Sequence, residues 1–209
     1  MRKVFLSNMF LQKIKPAKYI SNDFELGDAQ FKFPLTYIIN NEAADGDEIV
    51  VVTATIPEAE AEQVVKENGK IYKNEIREAL KDRKVDIKFI DIDVENDYDA
   101  ITVNKFFKKV ADTIHDNDKV YSDITFGIKP YTFSMFIAIA YAVKAAVNVE
   151  LGNVIYSKMY DGRKKPELAD TSEICDMTSL FYLNSIAGKA QEGQKDELNT
   201  LLDFIIDAD

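Results

Sequence analysis

Apolar residues fall along the chain in two alternating kinds of run. Short runs rich in valine, isoleucine and aromatics recur at "KVFLSN" (3–8), "DEIVVVTAT" (47–55), "VDIKFIDID" (85–93), "KVYSDIT" (119–125) and "NVELGNVIYSKM" (148–159). Consecutive Ile and Val in the second suit a parallel strand buried on both faces, and the third alternates apolar and polar with period two. Between them lie stretches with helical spacing. Residues 59–84 carry Val64, Val65, Ile71, Ile76, Ala79 and Leu80 as one stripe; residues 98–116 carry Ile101, Phe106, Val110 and Ile114; residues 131–147 are apolar almost throughout. Strands alternating with helices predict βαβ units. The fold class expected is therefore α/β, a Rossmann-like, mostly parallel sheet flanked by helices.

Residues 17–33, two short aromatic-rich runs around "NDFELGD", read as a small β-hairpin inserted after the first strand, and a helix follows near Pro34. Residues 176–188 and 195–206 read as two more helices. In a Rossmann-like order (third, second, first, fourth, fifth strand), ligands bind beyond the strands' carboxyl ends where the order reverses, between the first and fourth. Ser7 and Asn8 end the first strand there, and "SDITFGIKPYTF" (122–133) follows the fourth. Within it Gly127 permits a tight turn and close backbone approach, and Pro130 suits the first turn of a helix whose free N–H groups favour an anion. Thr125 can donate to a phosphate or ribose oxygen, and Lys129 supplies a point charge. The same residues would also serve an ordinary strand-to-helix turn, so both readings stand at this point.

Composition narrows the chemistry. The chain has 209 residues, 46% of them hydrophobic, enough for a core without disulfides. Its single cysteine, Cys175, excludes an intrachain disulfide; it fits a reducing compartment and reads as a buried, inert thiol. A formal net charge of −10 argues against a broad surface for duplex nucleic acid. Positive charge is nevertheless gathered in islands: Arg2, Lys3, Lys13, Lys15 and Lys18 near the start; Lys129 and Lys144; then Lys158, Arg163, Lys164 and Lys165. Lys13, Lys15, Lys129 and Lys158 all follow strands on the ligand edge, which suits a small anionic ligand.

The amino-terminal stretch has no long apolar core of a signal peptide, and residues 133–149 are too short for a membrane span, so a soluble cytoplasmic protein is expected. Neither G-x-G-x-x-G nor G-x-x-x-x-G-K-[ST] occurs. The lone His115, placed at a helix carboxyl end, reads as structural. There is no His/Cys cluster for zinc, and Asp91, Asp93, Glu95, Asp97 and Asp99 read as a solvated loop without EF-hand spacing, magnesium being the minor alternative. No cofactor and no metal are expected.

The stretch "DITFGIKPYTFSMFIAIAYA" (123–142) resembles the D-[IL]-T-x-G-[FI]-[RK] signature of CRISPR-associated Rossmann-fold (CARF) domains. "VFLSNMFLQKIKPAKYI" (4–20) is similar to the family's first-strand loop, "NVIYSKMYDG" (153–162) to its late strand with a Tyr-x-Gly end, and "ICDMTSLFYLNSIAG" (174–188) to the opening of its last helix. The resemblance implies a ligand-binding domain over residues 1–190 and a C-terminal helix over 191–209. It implies a homodimer that senses cyclic tetra- or hexa-adenylate, the second messenger of type III CRISPR defence, and passes the signal to an effector fused to it or separate. The site it implies comprises Ser7, Asn8, Lys13, Lys15, Thr55, Asp123, Thr125, Phe126, Gly127, Ile128 and Lys129. Some family members are metal-independent ring nucleases, in which a ribose 2′-hydroxyl attacks the neighbouring phosphate and leaves a 2′,3′-cyclic phosphate. Lys129 and Ser7 are the candidates here for stabilising that charge. The chain departs from close relatives at Phe126, where histidine is common, at Lys129, where arginine is common, and in a first loop, "SNMFLQKIKP", without glycine. A ligand-free scaffold is the third reading.

Overall fold

The computed structural model describes residues 1–8, 11–14, 17–55, 62–95, 97, 99–161, 163–189 and 191–207, the last three of these as backbone only. Seven strands form one sheet: β1 (Arg2–Asn8), β2 (Lys18–Ile20), β3 (Glu48–Thr55), β4 (Asp86–Asp93), β5 (Lys119–Asp123), β6 (Glu150–Met159) and β7 (Thr171–Asp176). Their order is β2-β7-β6-β5-β1-β3-β4. The central five, β4-β3-β1-β5-β6, run parallel in the order the sequence predicts, with the reversal between β1 and β5. Six α-helices accompany them among the described residues: α1 (Pro34–Glu42), α2 (Glu62–Ala79), α3 (Ala100–Ala111), α4 (Lys129–Ala145), α5 (Thr178–Ala187) and α6 (Lys195–Asp207). No helix among the described residues is long and apolar enough to cross a membrane.

Because successive strand residues face opposite ways, the apolar runs of β1, β3 and β5 feed two cores at once. Val4, Leu6, Val50, Val52 and Val120 pack with α3 and α4, whereas Phe5, Ile49, Val51 and Tyr121 pack with α1 and α2. Tyr121 stacks on Phe5 with ring centres 4.6 Å apart. Its ring lies where a Cβ on Gly152 would be, so glycine is required at that point of β6.

The expected hairpin over 17–33 does not form. Only Lys18–Ile20 is a strand, and it pairs in parallel with β7. Beyond it Ser21 makes a side-chain turn, its hydroxyl accepting from the N–H groups of Asp23 and Phe24 (both 3.1 Å) and donating to Ile174 O. The second aromatic run has its backbone donors taken by side chains rather than by a ladder. The N–H of Phe31 donates to the Tyr37 hydroxyl, and those of Lys32 and Phe33 to the Glu75 carboxylate. Glu75, from α2, thereby holds the entry to α1; its burial raises its pKa against those hydrogen bonds. β7, antiparallel to β6, adds an edge that the apolar pattern does not announce, because Thr171, Ser172 and Glu173 make half of it polar. The helix expected from 176 begins at Thr178.

Candidate functional site

β1 and β5 end side by side, Ser7 opposite Asp123. The residues placed there by the sequence divide between the two faces of the sheet. Ser7 and Asp123 lie on the α1/α2 side, near Tyr72 of α2, and are 4% and 2% exposed. Asn8, 2% exposed, lies on the α4 side. Its amide Nδ2 donates to the Thr132 hydroxyl (3.1 Å), which also contacts Phe126 O (3.1 Å), so α4 and the loop before it are tied to the end of β1. Gly127 closes this arrangement. Its φ is +99°, and a Cβ there would lie 2.5 Å from Asn8 Cβ, so both conformation and space require glycine.

Burial pushes the Asp123 carboxyl up to about 6, although the Thr125 backbone N–H donates to it at 2.8 Å. Thr125 also accepts through its hydroxyl, from the Ser157 N–H of β6 at 2.7 Å. Several buried oxygens here lack a partner among the described residues: Asn8 Oδ1, the Tyr72 hydroxyl, which faces Ser7 without hydrogen-bond geometry, and Ser122 Oγ. An unsatisfied buried oxygen costs about 1–3 kcal/mol. At the end of β1, Asn8 Oδ1 is an acceptor with no donor among the described residues.

Above this end of the sheet opens a groove of about 940 Å³, a size suited to a small ligand. One wall is the β5–α4 loop, with Thr125, Phe126, Gly127 and Lys129; the other is aromatic and aliphatic, with Phe133 and Phe136 of α4, Tyr156 of β6 and Leu180 of α5. Phe133 is 70% exposed. Its position one helical turn beyond Lys129 puts a ring and a cation on one face of α4. Lys129 is exposed and makes no ion pair among the described residues.

The amino end of α4 offers less than its sequence suggests. Pro130 has no N–H, and those of Tyr131 and Thr132 both donate to Ile128 O (3.0 and 3.1 Å). The Lys129 N–H is left from that first turn, so an anion here would depend on the lysine side chain more than on a cradle of amides.

Of the expected site residues, Thr125, Phe126, Gly127 and Lys129 line the groove. Ser7, Asn8 and Asp123 are buried and do not line it, and Ile128 packs into the core as it caps α4. Thr55 is turned to β4, its hydroxyl donating to Asp93 at 2.9 Å. Lys13 is exposed, and Lys15 lies outside the described residues. Reasoning from sequence did not place Phe133, Phe136, Tyr156 or Leu180 in the site. The alternation of "VIYSKM", which puts Tyr156 on the face opposite buried Ile155, was the available signal for Tyr156. Among the described residues no group of three or more His, Cys, Asp or Glu side chains is arranged to hold a metal ion. Compared with known proteins, the chain matches no protein-family model and no curated protein.

Proposed function

We propose that the protein binds a cyclic oligoadenylate, tetra- or hexa-adenylate, across a homodimer and acts as a sensor whose output is carried by an effector fused to it or separate. The observation that carries this reading is the placement of an open groove, lined by four aromatic rings and edged by Lys129, which makes no ion pair among the described residues, at the reversal of strand order. Adenine rings stack on aromatic side chains with about 1–3 kcal/mol per base. Lys129 supplies a charge for phosphate. The resemblance of residues 123–142 to the CARF signature points to the same ligand. Phe133, Ile137 and Tyr141 follow each other one turn apart on α4, with Phe133 and Tyr141 70% and 54% exposed; an apolar stripe of this kind suits a second copy of the chain.

Cleavage of the ring has less support. The described residues lining the groove include no carboxylate and no histidine to serve as a base. Of the two candidates for charge stabilisation, Lys129 lines the groove, whereas Ser7 is buried and does not line it. The deciding experiment incubates the purified protein with radiolabelled cyclic tetra- and hexa-adenylate without metal, read by mobility shift and product chromatography. A retained, intact ring supports the sensor. Linear products that disappear in Lys129→Ala or Ser7→Ala establish a ring nuclease instead, and absence of binding at micromolar concentration leaves a scaffold.

A further inference from the structure

Past the groove, β6 carries a second cationic site. Tyr156 and Lys158 share one face of the strand, while Ser157 between them is buried and bonded through its N–H to Thr125 (2.7 Å). That bond fixes the groove's own loop beside this stretch, and Lys158 follows Tyr156 by about 6.6 Å along the strand. Lys158 Nζ and Lys165 Nζ each lie 5.2 Å from the centre of the Tyr160 ring. Glu173 stands directly opposite Lys158 in the β6–β7 pair, yet the two form no ion pair. The Glu173 oxygens are taken by the Tyr160 hydroxyl and by Asn22 Nδ2 (3.0 Å). Arg163 is held by Asp161. Lys158 and Lys165, both exposed and without an ion pair among the described residues, therefore keep their N–H donors available beside an aromatic face.

We infer that the groove continues past Tyr156 to a second phosphate subsite, formed by Lys158 and Lys165 around Tyr160, so that the site takes a ligand with two or more phosphodiesters rather than a mononucleotide. The inference rests on reading the groove as a nucleotide site. One phosphate lies at Lys129 and a later one between Lys158 and Lys165, with the intervening base against Tyr156 and Phe133.

Calorimetric titration with AMP and with cyclic tetra-adenylate tests this on the wild-type chain, Lys158→Ala/Lys165→Ala and Lys158→Arg/Lys165→Arg, with thermal midpoints checking the fold. The wild type should bind cyclic tetra-adenylate at least ~10-fold more tightly than AMP. The alanine pair should lose about 10-fold for cyclic tetra-adenylate while AMP affinity stays within about 2-fold, and the arginine pair should restore it. The slope of log affinity against log salt should fall by about 0.7 in the alanine pair, one phosphate being no longer neutralised. An unchanged affinity for the ring in the alanine pair overturns the subsite, as does an equal loss for both ligands or equal wild-type affinities, and each leaves the nucleotide reading of the groove standing. Wild-type protein that binds neither ligand overturns both.

Discussion

The two edges of the sheet treat charge in opposite ways. At the amino ends of the strands, charged groups are matched to one another: the Met1 ammonium and Lys3 both reach Asp47 (3.0 and 2.7 Å), Arg2 pairs with Asp118 and Glu48, and Lys88 also reaches Glu48 (2.8 Å). At the carboxyl ends, around the β5–α4 loop, Lys129 and Lys158 make no ion pair among the described residues, Asn8 Oδ1 has no donor, and Asp123 is buried with Thr125 as its hydrogen-bond partner. Polar capacity at the first edge is mostly used inside the fold, although Asp118 Oδ1 has no partner among the described residues. At the second it is left over, beside the groove, at a cost in stability. Under the proposed function, the amino edge holds the molecule together and the carboxyl edge binds.

The largest effect on stability is therefore expected at the amino edge. Arg2→Ala leaves Asp118, 1% exposed, without its guanidinium partner and should lower unfolding free energy by about 3 kcal/mol. Urea denaturation measures this, and ligand affinity should not change. Gly127→Ala comes next, since it forces a side chain into a left-handed conformation against Asn8. It should cost roughly 2 kcal/mol and, by moving the loop, also weaken binding; a variant that binds normally would separate the loop from the site.

Asp123 offers a test with a definite sign. Its folded pKa of about 6 lies above the value of about 4 usual in an unfolded chain. Between these values the folded protein retains a proton that the unfolded chain has lost, so this group's contribution to stability falls as pH rises through that window. Asp123→Asn should be more stable than wild type at pH 7 by up to about 2 kcal/mol, and the difference should vanish below about pH 4. Parallel stability curves for the two proteins would show that burial does not strain this carboxyl.

Much of this architecture is legible in the sequence where one face-independent signal suffices. The run Ile49–Val52 declares a strand buried on both sides, and the spacing Phe106, Val110 declares a helix, which ends at Ala111 before Ile114, so the order and identity of the central elements follow. The edge is harder, because β2 and β7 are strands through each other and through β6, with partners far off in sequence and polar residues facing outward. For the same reason residues 17–33 look like a hairpin while their aromatic groups serve the α1/α2 core. In the site, the loop 124–129 is legible as chemistry, since Gly, Lys and a hydroxyl sit where the strand order reverses. Its apolar wall is not, because Phe133, Tyr156 and Leu180 come together only through the packing of α4 and α5 on β6.

The most direct measurement of the claim that the carboxyl edge binds and the amino edge does not is a paired titration of wild type and Lys129→Ala with cyclic tetra- and hexa-adenylate. Thermal denaturation of both proteins accompanies it. Lys129 is exposed and makes no ion pair among the described residues, so its removal should change stability by less than about 0.5 kcal/mol while weakening binding by about 1.5–3 kcal/mol. Equal affinities for the two proteins, or a variant whose weaker binding is matched by an equal loss of stability, would contradict the account.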